Sequence, residues 1–172
     1  MSGNKTPAAP NTRDLIDASI RSDKALIGSG MWIDDNREYC KKWARLIEID
    51  GEIQNIQLLI KYHTNDENIK FRILLNIPQC IWRIDFADED HLNPLSAPFR
   101  PGETISGPHY HAWADNRQYV HANALPKKLQ SARPLPQEVG TFQSAYRWFC
   151  KQVNIQCKDA EIPTLPAKDR LL

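Results

Sequence analysis

The sequence has no C-x-x-C pair: Cys40, Cys80, Cys150 and Cys157 are scattered, so reduced thiols are expected rather than a disulfide frame. The amino end, MSGNKTPAAPN, has no apolar h-region, and no later run approaches the roughly 18 apolar residues of a membrane span. The expectation is a cytosolic protein with no membrane partner. Charge of one sign is not in excess either, with 22 Lys+Arg against 21 Asp+Glu. Any nucleic-acid surface must therefore come from local segregation of charge. There is no P-loop, no G-x-G-x-x-G, no H-E-x-x-H and no kinase or hydrolase signature, which removes the most familiar enzyme classes. No cysteine has a histidine beside it in sequence, which argues against a thiol nucleophile. Internal repeats and low-complexity domains are also lacking.

What is present suits one domain, because 172 residues can bury a core without staples. Residues 1–10 read as a disordered lead-in, 11–157 as a single α+β domain and 158–172 as a tail. Asn11 or Thr12 can cap a helix in which Leu15, Ile16, Ile20 and Ile27 fall near helical spacing, with Asp14 in the first turn, ending at Gly28 or Gly30. Met31–Cys40 is ambiguous. KKWARLIEI and EIQNIQLLIKYHT read as strands joined by Asp50-Gly51, the strongest hairpin signal in the chain. Asn65-Asp66-Glu67-Asn68 is a second turn signal. Ile69, Phe71, Ile73 and Leu75 then share one parity of a third strand that stops at Pro78. A fourth strand over Cys80–Ala87 sets Trp82, Ile84 and Phe86 on one face and Ile81, Arg83 and Asp85 on the other. Asp88–Glu103 is a long proline-containing loop of the kind often used for lids and binding. Ser106–Ala114 reads as a fifth strand with His109, His111 and Trp113 pointing one way, and Asn123–Glu138 as a surface connection. Phe142, Ala145, Tyr146, Phe149 and Val153 make the apolar stripe of a closing helix. The predicted architecture is an antiparallel meander of about five strands packed against amino- and carboxyl-terminal helices.

The chemistry concentrates between Arg83 and Trp113, which hold three of the five histidines. His109-x-His111 on a strand puts two imidazoles on one side, able to act as general acid and base at a phosphodiester or to ligate one ion. Arg83 and Asp85 join them if the fourth and fifth strands are neighbours, and His91 hangs on the loop between. Two assignments stay open. Without metal, Arg83 stabilises phosphoryl charge and Asp85 orients a ring or holds Arg83. With a divalent metal, His109, His111 and either Asp85 or His91 are ligands around an open position. A plain ion pair between Arg83 and Asp85, with H-x-H as a hydrogen-bonded tie, is the structural alternative. His63 and His121 have no motif and read as surface or packing residues; Trp82, Trp113, Trp148, Phe86 and Phe149 read as core, although Trp113, following H-x-H, can border a pocket. Arg117, Lys127, Lys128 and Arg133 form a basic run whose ordinary role is a solvated face, but which can also guide a phosphate backbone.

The elements Arg83-x-Asp85, His91-x-Asn93-Pro94 and Gly107-Pro108-His109-x-His111 resemble the TumE-like toxin components of bacterial toxin and antitoxin pairs, and a related group of phage and prophage proteins. The likeness spans residues 60–115. It implies a compact α+β ribonuclease of toxin type using His109, His111, Arg83, Asp85 and His91, with RNA or a cognate antitoxin as partner. The longer loop, the extra carboxyl-terminal helix and the tail depart from the small toxins. They suit the other expectation, a phage or mobile-element protein that inhibits a host defence complex in the manner of an anti-CRISPR.

Overall fold

The turn at Asp50-Gly51 organises the sheet. Both residues take positive φ, 53° and 81°, as a two-residue hairpin turn matched to strand twist requires. The computed structural model describes residues 10–37, 39–65 and 68–168. The expected lead-in, apart from Pro10, and the Asp66-Glu67 centre of the second turn lie outside the described residues.

Helix α1 (Thr12–Arg21) starts on Asn11, whose side chain accepts from the Asp14 amide, and has Asp14 in its first turn. It stops well short of Gly28. Ser22 is already extended, and Ala25–Ile27 forms β1, paired with Leu46–Glu48. Ile27, which fits helical spacing in the sequence, is a strand residue, because the edge of the sheet offers backbone partners that a longer helix would forgo. Buried Lys24 closes this corner by donating Nζ to the carbonyls of Ile20, Ser22 and Val153.

The next elements are β2 (Ile33–Asp34), β3 (Cys40–Ile49), β4 (Glu52–His63), β5 (Lys70–Ile77) and β6 (Gln79–Phe86). Then come β7 (His91–Leu92), β8 (Thr104–Ile105), β9 (His109–His111), α2 (Trp113–Asn116), β10 (Arg133–Pro134) and α3 (Phe142–Gln152). The main sheet is antiparallel in the order β1-β3-β4-β5-β6-β9-β10, with β2 also on β3. With helices packed on it, the fold is α+β.

Helix α3, capped by Thr141, covers one sheet face. Phe142, Ala145, Tyr146, Phe149 and Val153 are all buried, and Trp43, Phe71 and Trp82 meet Tyr146, Phe142 and Phe149 edge-on. Each such side chain contributes roughly 1.5–3 kcal/mol of burial. The apolar parity of β5 and β6 lies on this side, which leaves Arg72, Arg83 and Asp85 for the opposite face.

Three further expectations are corrected. Trp113 opens α2 instead of continuing the fifth strand; its Nε1 donates to Asp17 of α1 at 2.6 Å, so it belongs to the core and not beside the histidines. The 88–103 loop is folded back as a ladder of β7 on β8. Residues 123–138 are not merely a surface connection, since Leu129, Ser131 and Ala132 are buried and β10 adds a strand to β9. Within residues 158–168 of the expected tail, the Thr164 carbonyl accepts from Trp32 Nε1 at 2.8 Å and Glu161 pairs with Arg45 at 3.2 Å.

Candidate functional site

Strand alternation places Arg83 and Asp85 on the face of β6 away from α3, and antiparallel register sets them opposite His111 and His109. Gly107, at φ 73°, turns the chain into β9 through a conformation that side-chain-bearing residues rarely adopt. The β7–β8 ladder then carries His91 onto the pair. Ring centroids lie 5.5 Å apart for His91 and His109, 4.7 Å for His91 and His111, and 5.2 Å for His109 and His111. One ring nitrogen of each histidine lies within 4.8 Å of the others, so the three could hold a metal ion.

Each imidazole donates one N–H to a backbone carbonyl. His91 Nε2 donates to Gln130 at 2.7 Å, His109 Nδ1 to Gly107 at 2.8 Å and His111 Nδ1 to Ser131 at 3.0 Å. A carbonyl can only accept, so these nitrogens carry protons, and in a neutral ring the lone pair then falls on Nδ1 of His91 and on Nε2 of His109 and His111. That is the outer arrangement characteristic of metal-binding histidines. Burial lowers the basicity of His91, and burial outweighs the Asp85 contact to bring His111 down to about 4. Both rings are therefore neutral near pH 7.

Asp85 lies beneath the group with 4% of its side chain exposed. Its Oδ1 is 2.7 Å from Arg72 Nε and its Oδ2 2.7 Å from Arg83 Nε. These are charge contacts with poorly aimed N–H vectors, because neither Arg83 Nε nor Asp85 Oδ1 completes a hydrogen bond. Burial favours the neutral acid, while the facing guanidinium groups of Arg83 and Arg72 help hold the carboxyl well below its usual range. Oδ2 also faces Nε2 of His111 at 3.3 Å and Nε2 of His109 at 3.6 Å. In the assigned tautomers these atoms set lone pairs against lone pairs, which calls for positive charge between them. Arg83 Nη2, 2.9 Å from His111 Nε2, supplies part of it.

The carbonyls behind the histidines are themselves anchored. Asn116 Oδ1 accepts from the amides of Gln130 and Ser131, and its Nδ2 donates to the carbonyls of Ala112 and Ser131. Asn93 brackets Ala132 from the other side, accepting its amide at 2.8 Å and donating to its carbonyl at 3.0 Å.

All five expected site residues, His91, His109, His111, Arg83 and Asp85, thus converge. The expected nucleic-acid residues do not form one surface. Arg117 is tied to Asp17 at 2.8 Å and Asp14 at 3.3 Å beside a cleft of about 530 Å³, whereas Lys127 and Lys128 line a different cleft with Tyr119 and His121. Arg133 forms a two-pronged pair with Asp115. Arg72, which the sequence sets only on the polar parity of the third strand, and Asn116 are not among the expected site residues. Counting back from the turn at Pro78 nearly finds Arg72, but the irregularity between Leu75 and Asn76 shifts the register. Asn116 carries no signal, since its role depends on a segment it meets only in the fold. No helix among the described residues is long and apolar enough to cross a membrane. Comparison with family models, with curated proteins and with solved structures finds no match to this chain.

Proposed function

We propose that the chain is a ribonuclease dependent on a divalent metal held by His91, His109 and His111. The carrying observation is that three clustered imidazoles each spend one nitrogen on a backbone carbonyl and keep the other as a lone pair. Three imidazole nitrogens, with a fourth position left to water or substrate, are the donor set of a hydrolytic metal centre. A divalent ion there supplies Lewis acidity toward a phosphoryl oxygen and acidifies a water. The chain's own residues do the rest. Arg83 and Arg72, 25% and 34% exposed, present positive charge beside the site, and Asp85 holds both guanidinium groups in place. The metal-free version is less well supported, because His111 has 0% of its side chain exposed and cannot meet a ribose hydroxyl or a leaving oxygen. RNA as substrate rests on the R-x-D, H-x-N-P and P-H-x-H likeness. The test is cleavage of a labelled RNA by the purified protein, with chelator, with metal restored, and with His109→Ala. Chelation and the substitution should each abolish cleavage, and added metal should restore it only in the wild type. Undiminished cleavage in folded His109→Ala overturns the proposal.

A second reading is favoured by one observation: His91 sits on the β7–β8 ladder, so the same cluster ties that ladder to the main sheet. In that reading a bound ion is a clamp, and the protein acts by binding an antitoxin or a host defence complex. An ion that raises the melting temperature, with no RNA cleavage and a stoichiometric partner recovered from host lysate, would favour it over the ribonuclease.

A further inference from the structure

The sheet face opposite α3 carries positive charge in register across several strands. Lys42 pairs with Lys61, Lys61 with Arg72, Arg72 with Asp85, and Asp85 with His109. Directly paired residues of neighbouring strands point to the same face, and strands lie about 4.8 Å apart. The row therefore runs roughly 19 Å from Lys42 to the histidine cluster. Along and beside this row the cations are at the surface and the acids beneath. Lys42, Lys61, Arg72 and Arg83 keep 36%, 35%, 34% and 25% of their side chains exposed, against 9% for Asp35 and 4% for Asp85. Asp35 holds Lys61 at 2.9 Å and Lys42 at 4.0 Å from below, fixing the ammonium groups while leaving them open to solvent. Glu89, 43% exposed, lies between Lys70 and Arg72. Beside this row runs a second one, Ala44, Leu59 and Leu74, also in register, which continues to Arg83 and His111.

We infer that this face is a track for a single RNA strand, with Lys42, Lys61 and Arg72 following successive phosphates toward the site at His109. This deepens the ribonuclease reading and rests on it for the end of the track, though not for the binding itself. The nearly neutral chain has no global attraction for polyanions, so this local segregation is what would draw one in. A single strand fits better than a duplex, because its bases are free to lie over the apolar Ala44 and Leu59 while its backbone follows the charged row. Evenly spaced phosphates also match a row with a fixed strand repeat better than the irregular carboxylates of an acidic peptide do.

The test is fluorescence anisotropy of a short labelled 2′-O-methyl oligouridylate, titrated at several salt concentrations, with wild type, Lys42→Gln, Lys61→Arg and Lys42→Gln/Lys61→Gln. For a single strand, the slope of log affinity against log salt falls by about 0.7 for each phosphate that is no longer neutralised. Lys42→Gln should lower the slope by about 0.7 and the double variant by about 1.4, while Lys61→Arg should keep it. Lys42→Gln leaves the closer Lys61–Asp35 pair intact, so it reports even if the double variant unfolds. Unchanged slopes in Lys42→Gln, or binding of an acidic peptide with none of the oligonucleotide, overturn the inference. The two proposals fail separately. Altered slopes with no cleavage of unmodified RNA under any metal leave the track standing and remove the ribonuclease; metal-dependent cleavage with unaltered slopes does the reverse.

Discussion

His111 donates its Nδ1 proton to the carbonyl of Ser131, 3.0 Å away and 20 residues later in the chain. That bond keeps Nε2 of a wholly buried ring as a lone pair, directed at Asp85 Oδ2 and Arg83 Nη2. A buried acceptor set beside a buried carboxylate is costly unless positive charge lies between them. Here a guanidinium meets that need in part, and a metal ion would meet it more fully.

Ion binding should therefore appear as stability. Wild-type protein titrated with Zn²⁺ or Mn²⁺ should bind about one ion per chain by calorimetry. At a free concentration one hundred times Kd, unfolding should become harder by about 2.7 kcal/mol. His91→Ala and His109→Ala should each lose most of that increment. An equal thermal shift in wild type and both variants would place the ion elsewhere.

Acid should weaken the fold before the carboxylates titrate. Burial holds His111 at about 4 when folded, against an ordinary 6.5. Between those values the unfolded chain takes up a proton that the folded ring refuses, so stability falls as pH is lowered through this window and the His111 contribution levels off below about 4. The loss amounts to about 3 kcal/mol. His91 is shifted in the same direction and adds to it. Urea unfolding midpoints of wild type and His111→Asn between pH 7 and pH 4 check this: the variant should show the shallower dependence, and a flat wild-type profile down to pH 5 would contradict it.

Asn116 should matter to both the fold and the ion. It bridges the segment whose carbonyls hold His91 and His111, and it is 1% exposed. Asn116→Ala leaves buried amides and carbonyls without partners, at about 1–3 kcal/mol for each one that finds no replacement. By loosening the outer partners of two ligands it should also weaken metal binding by roughly 10–100-fold. Parallel measurement of the unfolding midpoint and the Zn²⁺ dissociation constant separates the two effects. Full metal affinity in a destabilised Asn116→Ala would show that the carbonyl segment is not held through this side chain.

Local chemistry determined much of this protein. The positive-φ demand of a two-residue turn made Asp50-Gly51 legible, the period of two set Arg83 with Asp85 and His109 with His111 on shared faces, and the helical period marked the stripe from Phe142 to Val153. These signals lie within a few residues of one another, so the sequence alone was enough to read them. What it left undecided depends on closure over longer distances. His91 reaches Gln130 across 39 residues, Arg72 meets Asp85 only through the register of β5 on β6, and Asn116 finds its partners only after residues 129–132 fold inward. The basic run from Arg117 to Arg133 looks continuous along the chain, yet Arg117 and the two lysines line different clefts, while Lys42, Lys61 and Arg72, far apart in sequence, become one row. Hydrogen-bond register and burial, which act between segments rather than along one, made those choices.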